Sequence, residues 1–218
     1  MYKAYQGPAG ALTELVGYLG GTTRVTALHQ TLVQDSLDTR VLAESDVRYT
    51  QIQPGNYSEA NILYTPHATS ETTAAARFAC NIPQGATILS ATFDLYNTQS
   101  SNEWTTPTDD WALGVEQVDD AAAITSRQNL LDRYENVGTT VTWAKSTNSG
   151  TGNPVPSAPD IAALVQAVVD RPGWESGNHI ACWVHHPSGG TMGFQLWGWH
   201  TSDAGLRPRL RIGYEYPA

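Results

Sequence analysis

Thr87-Ile88-Leu89-Ser90-Ala91-Thr92-Phe93-Asp94-Leu95-Tyr96 alternates. Leu89, Ala91, Phe93 and Leu95 fall on one face, and Ser90, Thr92 and Asp94 on the other. That period of two is the signature of a strand with one side buried. Pro208 to Tyr216 repeats it, with Leu210, Ile212, Tyr214 and Tyr216 facing one way and Arg209, Arg211 and Glu215 the other. Ile180-Ala181-Cys182-Trp183-Val184 is apolar on both faces, as expected for an inner strand of a covered sheet. Val137 to Trp143 is short and β-branched. Ser157-Ala158-Pro159-Asp160 reads as a capping box ahead of an apolar stripe at Ile161, Leu164, Val165 and Val168, and Pro172-Gly173 ends that helix. The expected fold is therefore all-β: a jelly-roll-like antiparallel sandwich with one short helix and an extended N-terminal arm.

The bulk composition agrees. Charged residues are only 15 % of the 218 positions, and turn-forming residues are abundant, which fits many short strands joined by loops. A chain of this length can bury a large core as one domain. Net charge is −9 and no basic face is evident, so nucleic-acid binding is not expected. No apolar run approaches about 18 residues, so no membrane span is expected. The start, Met1-Tyr2-Lys3-Ala4-Tyr5-Gln6-Gly7-Pro8, shows no apolar core or cleavage signature of a secretory signal. Cys80 and Cys182 sit in apolar runs and read as buried thiols, with a bridge left open.

Residues 1–45 differ from 46–218. Gly7-Pro8-Ala9-Gly10 and Gly17 to Thr23 punctuate a stretch without sustained period. Two readings stand equally: an arm that orders on a partner, or an extra strand packed on its own sandwich.

Ile82-Pro83-Gln84-Gly85-Ala86-Thr87-Ile88, then Ile124-Thr125-Ser126-Arg127 with Val141-Thr142-Trp143, carry a resemblance. So do Pro159-Asp160-Ile161 through Val165-Gln166, Asp170-Arg171-Pro172-Gly173-Trp174, Ser176-Gly177-Asn178 and Pro208-Arg209-Leu210-Arg211-Ile212. In this order they resemble the DNRLRE-type domain, a jelly-roll sandwich similar to carbohydrate-binding modules. The likeness spans roughly residues 46 to 216. It implies a non-catalytic module of surface, secreted or phage structural proteins, some of which bind polysaccharide. With a Gly-rich arm, the expectation is a virion component of a bacteriophage, a capsid decoration or a head or tail fibre part. The arm would contact capsid or tail proteins, and the protein would be a homo-oligomer.

Trp197 and Trp199 stand two apart in a strand-like run, so both indoles would share a face, with Gln195 beside them. Sugar rings stack on such platforms. Core filling is the bland alternative, since Trp is mostly buried. Trp104 and Trp111 flank a polar loop and are further candidates for glycan contact, against a loop-anchoring role. The adjacent His185 and His186 would point to opposite faces of a strand, so with His179 and His200 they make no evident metal set. Asp109-Asp110 and Asp119-Asp120 have oxygens for calcium, but the EF-hand pattern is absent, so no cofactor is expected, with a structural calcium ion as the unsupported alternative. Catalysis is not expected, because no nucleophile elbow or phosphate loop occurs. Arg127 and Arg171 are expected to hold loops.

Overall fold

The structure, a computed structural model, describes residues 3–6, 12–19, 23–27, 32–40, 46–51, 57–58, 62–64, 72–97, 110–144, 151–186, 195–197 and 203–217. All of its described strand pairings are antiparallel. One sheet has three strands: β4 (Leu32–Arg40), β14 (Arg209–Pro217) and β9 (Thr87–Asp94), in that order. The other has six: β11 (Thr140–Trp143), β10 (Trp111–Val115), β12 (His179–His186), β8 (Thr72–Ala79), β5 (Val47–Gln51) and β6 (Tyr57–Ser58).

The main core draws on both sheets. Ala91, Phe93, Leu210, Ile212 and Tyr214 come from the smaller sheet, and Phe78, Leu113, Val115, Cys182 and Val184 from the larger. Phe78 meets Phe93 edge to face, with centroids 5.8 Å apart. Alternation creates this layer: each buried Leu, Ile or Phe contributes about 1.5–3 kcal/mol, while its neighbours along the strand stay wet.

β12 is covered on both sides. Ile180, Cys182 and Val184 enter the main core. Ala181 and Trp183 enter a second cluster with Ala75, Ala121, Ile124, Leu130 and Val137. That cluster lies under α1 (Arg127–Tyr134), a helix the sequence reading did not anticipate. Its start is marked at Ser126, whose hydroxyl accepts from Asn129 N at 3.1 Å, while Asn129 Oδ1 accepts from Thr125 N at 3.3 Å. This is reciprocal capping. The helix escaped notice because only Leu130 and Arg133 on it are buried, too few to set up a period. Arg133 holds Glu116 with Nε at 2.9 Å and Nη2 at 2.5 Å, and donates from Nη1 to Ala122 O.

The expected helix is α2 (Ala162–Val169). It sits beside β9, the last strand of the smaller sheet, and occupies its open edge. Asp160 Oδ1 accepts from Ala91 N and Ala162 N. Gln166 accepts from Ile88 N and donates to Ala86 O, and Ile161 N donates to Ala91 O. Backbone groups that would otherwise template pairing are thereby satisfied. The capping assignment is corrected: Asp160, not Ser157, takes the helix N–H. Ser157 lies five residues before the helix, with φ at +57°.

One further expectation changes, and two points left open are resolved. Leu89 is 49 % exposed and Ile88 is buried. A bulge causes this: Gly213 pairs with Ser90 but Tyr214 pairs with Ile88, skipping Leu89 and inverting the alternation. The described part of residues 1–45 consists of strands. β4 pairs with β14 over its whole length, from Arg40 opposite Arg209 to Leu32 opposite Pro217, so the extra-strand reading holds for that segment. β1 (Lys3–Gln6), β2 (Leu12–Leu19) and β3 (Thr23–Ala27) form a separate antiparallel sheet. Finally, Cys80 and Cys182 are free and buried. Cys182 pairs with Ala76, and Cys80 N donates to Asn178 O. The two cysteines are therefore four residue steps apart along the ladder, about 13 Å, well beyond the ~7 Å limit for a bridge.

Candidate functional site

Trp111 is removed from the glycan-contact candidates. It is the first residue of β10, 4 % exposed, and packs edge to face on its cross-strand partner Trp143, with centroids 5.6 Å apart. Gln195 and Trp197 lie on β13 (Gln195–Trp197), opposite Tyr64 and Ile62 of β7 (Ile62–Tyr64). Trp104 and Trp199 lie outside the described residues, as do His200 and Asp109.

The polar candidates resolve into structural ties. Asp119 accepts from Arg171 Nε at 2.5 Å. Asp120 accepts from the His179 backbone N–H at 2.8 Å and contacts its ring Nδ1 at 2.9 Å. Burial pushes the Asp120 carboxyl up, but those His179 groups outweigh it and hold it below the ordinary carboxylate value. The pair thus faces His179 and Arg171. His185 stacks on Tyr134. Among the described residues no group of three or more His, Cys, Asp or Glu is placed to hold a metal.

The stretch from Asp170 to Asn178 works as a joint. Trp174 Nε1 donates to Ile82 O at 3.0 Å. Asn178 Nδ2 reaches Asp119 O and Gly173 O. A Cβ on Gly173 would lie 2.1 Å from Asp119 Oδ2, so only glycine lets the Asp119 carboxylate approach. Arg171 has the loop-holding role expected of it, and Arg127 opens α1.

The described structure offers a site that the sequence reading passed over. The outer face of the β4–β14–β9 sheet carries a cleft of about 480 Å³. Its floor is Thr92, Asp94, Arg209 and Arg211. Tyr96 and the segment Pro154–Ala158 wall it. The wall is fixed: Pro154 bridges to Tyr96, Val155 N donates to Leu95 O at 2.7 Å, and Trp143 Nε1 donates to Pro156 O at 3.0 Å.

Two diagonal ion pairs cross this face. Arg211 donates to Asp94 from Nε at 2.8 Å and Nη2 at 3.0 Å. Arg209 grips Asp38 with the same two nitrogens, its Nε at 2.6 Å. Arg40 lies over the Tyr96 ring, 5.4 Å from its centroid, and donates to Arg207 O. The hydrogen bond from Arg209 holds the Asp38 carboxyl below its ordinary value. The Asp38 and Asp94 contacts raise the two guanidinium values further. Asp94 is buried, whereas Arg211 and Asp38 are half exposed. The signal was in the sequence: Arg209 and Arg211 alternate with core residues Leu210 and Ile212, which places both on the outer face. Their carboxylate partners lie 171 and 117 positions away, which no local pattern reveals.

No known family matches the chain, and no curated protein matches it. Among solved structures, one of infectious bursal disease virus, Gt strain, is 15 % identical, with a TM-score of 0.29, covering 99 % of this chain and 42 % of that one. One of the Gx strain is 14 % identical, with a TM-score of 0.23, covering 99 % and 43 %. The chain spans less than half the length of those it is compared with. Scores this low carry no structural argument.

Proposed function

We propose that this protein is a non-catalytic structural component of a bacteriophage virion, a capsid decoration or a head or tail fibre part. The observation that supports this is the division of the strands. β1, β2 and β3 make a sheet that shares no strand pairing with the sandwich among the described strands. So small a sheet is marginal by itself, and a neighbouring subunit in a symmetric particle would supply a partner for it. The sandwich, with α1 and α2 over it, is the part that faces outward in this reading. Co-expression with the shell proteins encoded beside its gene tests it. The full chain should co-sediment with particles, and a chain lacking residues 1–27 should not.

A second reading is a polysaccharide-binding module of a surface or extracellular system. The outer-face cleft favours it, because its polar groups converge in a concave, walled place. The two readings are compatible: a virion protein that also holds glycans satisfies both.

A further inference from the structure

We propose that the cleft over Thr92, Asp94, Arg209 and Arg211 binds a neutral, hydroxyl-rich saccharide. The ligand class rests on the second reading above; the location does not.

Size comes first. About 480 Å³ falls within the range of small-molecule and sugar sites. The walls come next. Pro154 and Pro156 give apolar ring edges, and Tyr96 closes one end. The hydrogen bonds from Val155 and Trp143 hold that wall without help from a ligand, so little ordering entropy would be lost on binding.

Charge selects the ligand. A guanidinium has five N–H donors, and Arg211 spends two on Asp94. The side chain as a whole is half exposed and lines the cleft. The Asp94 carboxylate has about four lone-pair sites, and two are used by Arg211. Donor and acceptor capacity therefore stand side by side. A sugar hydroxyl donates and accepts, so neighbouring hydroxyls on one ring can meet both. An anion fits less well. It would compete with Asp94 and Asp38 for guanidiniums already paired to them, against a chain of net charge −9.

The rim adds an independent sign. Ser157 lines the cleft with φ at +57°, and no other non-glycine among the described residues has a positive φ. It is exposed, so no core packing explains the conformation. Backbone held in such a region recurs at ligand-binding edges.

The test uses the full chain on a glycan array, followed by gel retardation in the best neutral polysaccharide and in a polyuronate. Thr92→Trp fills the cleft at a strand position where an aromatic is well tolerated. Arg211→Gln removes the fork without adding bulk, and Trp197→Ala probes the tryptophan candidate. Retention by a neutral glycan should persist between about 0.05 and 0.5 M salt, since an uncharged ligand offers no charge–charge attraction for salt to screen. Each cleft variant should weaken it by about tenfold or more, as for a lost charge-assisted contact, and Trp197→Ala should leave it intact. Thermal unfolding of Thr92→Trp checks that the fold survives. The proposal is overturned if the intact protein retains no neutral glycan, which would also remove the polysaccharide reading. It is equally overturned if Thr92→Trp binds normally while Trp197→Ala does not, which would keep that reading and move its site. Binding only to the polyuronate, lost as salt rises, would overturn the choice of a neutral ligand.

Discussion

Arg133 donates to Glu116 from two nitrogens and to Ala122 O from a third. Both side chains are at most a tenth exposed, so each charge depends on the other. Glu116→Ala leaves a buried guanidinium unpaired, which typically costs about 3–5 kcal/mol. The urea midpoint should fall accordingly, with α1 lost first. Cysteine behaves in the opposite sense. Burial pushes the Cys80 thiol up to about 12, and burial, with a lesser repulsion from Cys80, raises Cys182 as well. Neither should react with iodoacetamide at mild alkaline pH in the folded protein, and both should react in urea, since only the thiolate is nucleophilic. A mass shift of the native chain would contradict this. Asp38 and Asp120 are held below their ordinary values in the folded state. Their contribution is complete above the unfolded value, about 3.9, and disappears as pH falls through the folded values. The melting temperature should decline as pH drops below about 4, and Asp38→Asn should shrink that decline. Both carboxylates are partly exposed, so the effect of each is small.

At the scale of elements, the edge of β9 is the place where sequence and packing meet. Asp160 serves two backbone N–H groups and Gln166 serves the strand on both sides. Asp160→Ala should destabilise the protein by about 1–2 kcal/mol, the range for a lost helix cap. It should also raise light scattering near the melting temperature as the edge opens. In the sequence, β9, β14 and β12 are legible because alternation and two-sided apolarity are local, and α2 is legible from its stripe. The inversion at Leu89 is not, since a bulge is set by the partner strand and Gly213 opposite leaves no mark on residues 87 to 95. Nor is α1, whose cap at Ser126 is legible but whose one fully buried apolar residue is Leu130. β4 stands open between arm and strand: Leu32 to Arg40 is mostly exposed, and its pairing with β14 is a contact across the whole chain. The outer-face cleft was half legible. Arg209 and Arg211 could be placed on a wet face, but Asp38, Asp94 and the Ser157 rim join them only in three dimensions.

At the scale of the whole molecule, the chain holds a sandwich whose strand β12 is covered on both sides and a small sheet that, among the described strands, pairs only with itself. The proposed role depends on that division, with residues 28–218 able to fold alone and residues 3–27 serving association. Sedimentation velocity of the full chain against residues 28–218, with melting of each, measures it most directly. The account predicts an oligomer for the full chain and a monomer for the shorter one, at closely similar melting temperatures. Two monomers, two identical oligomers, or a shorter chain that no longer folds would contradict it.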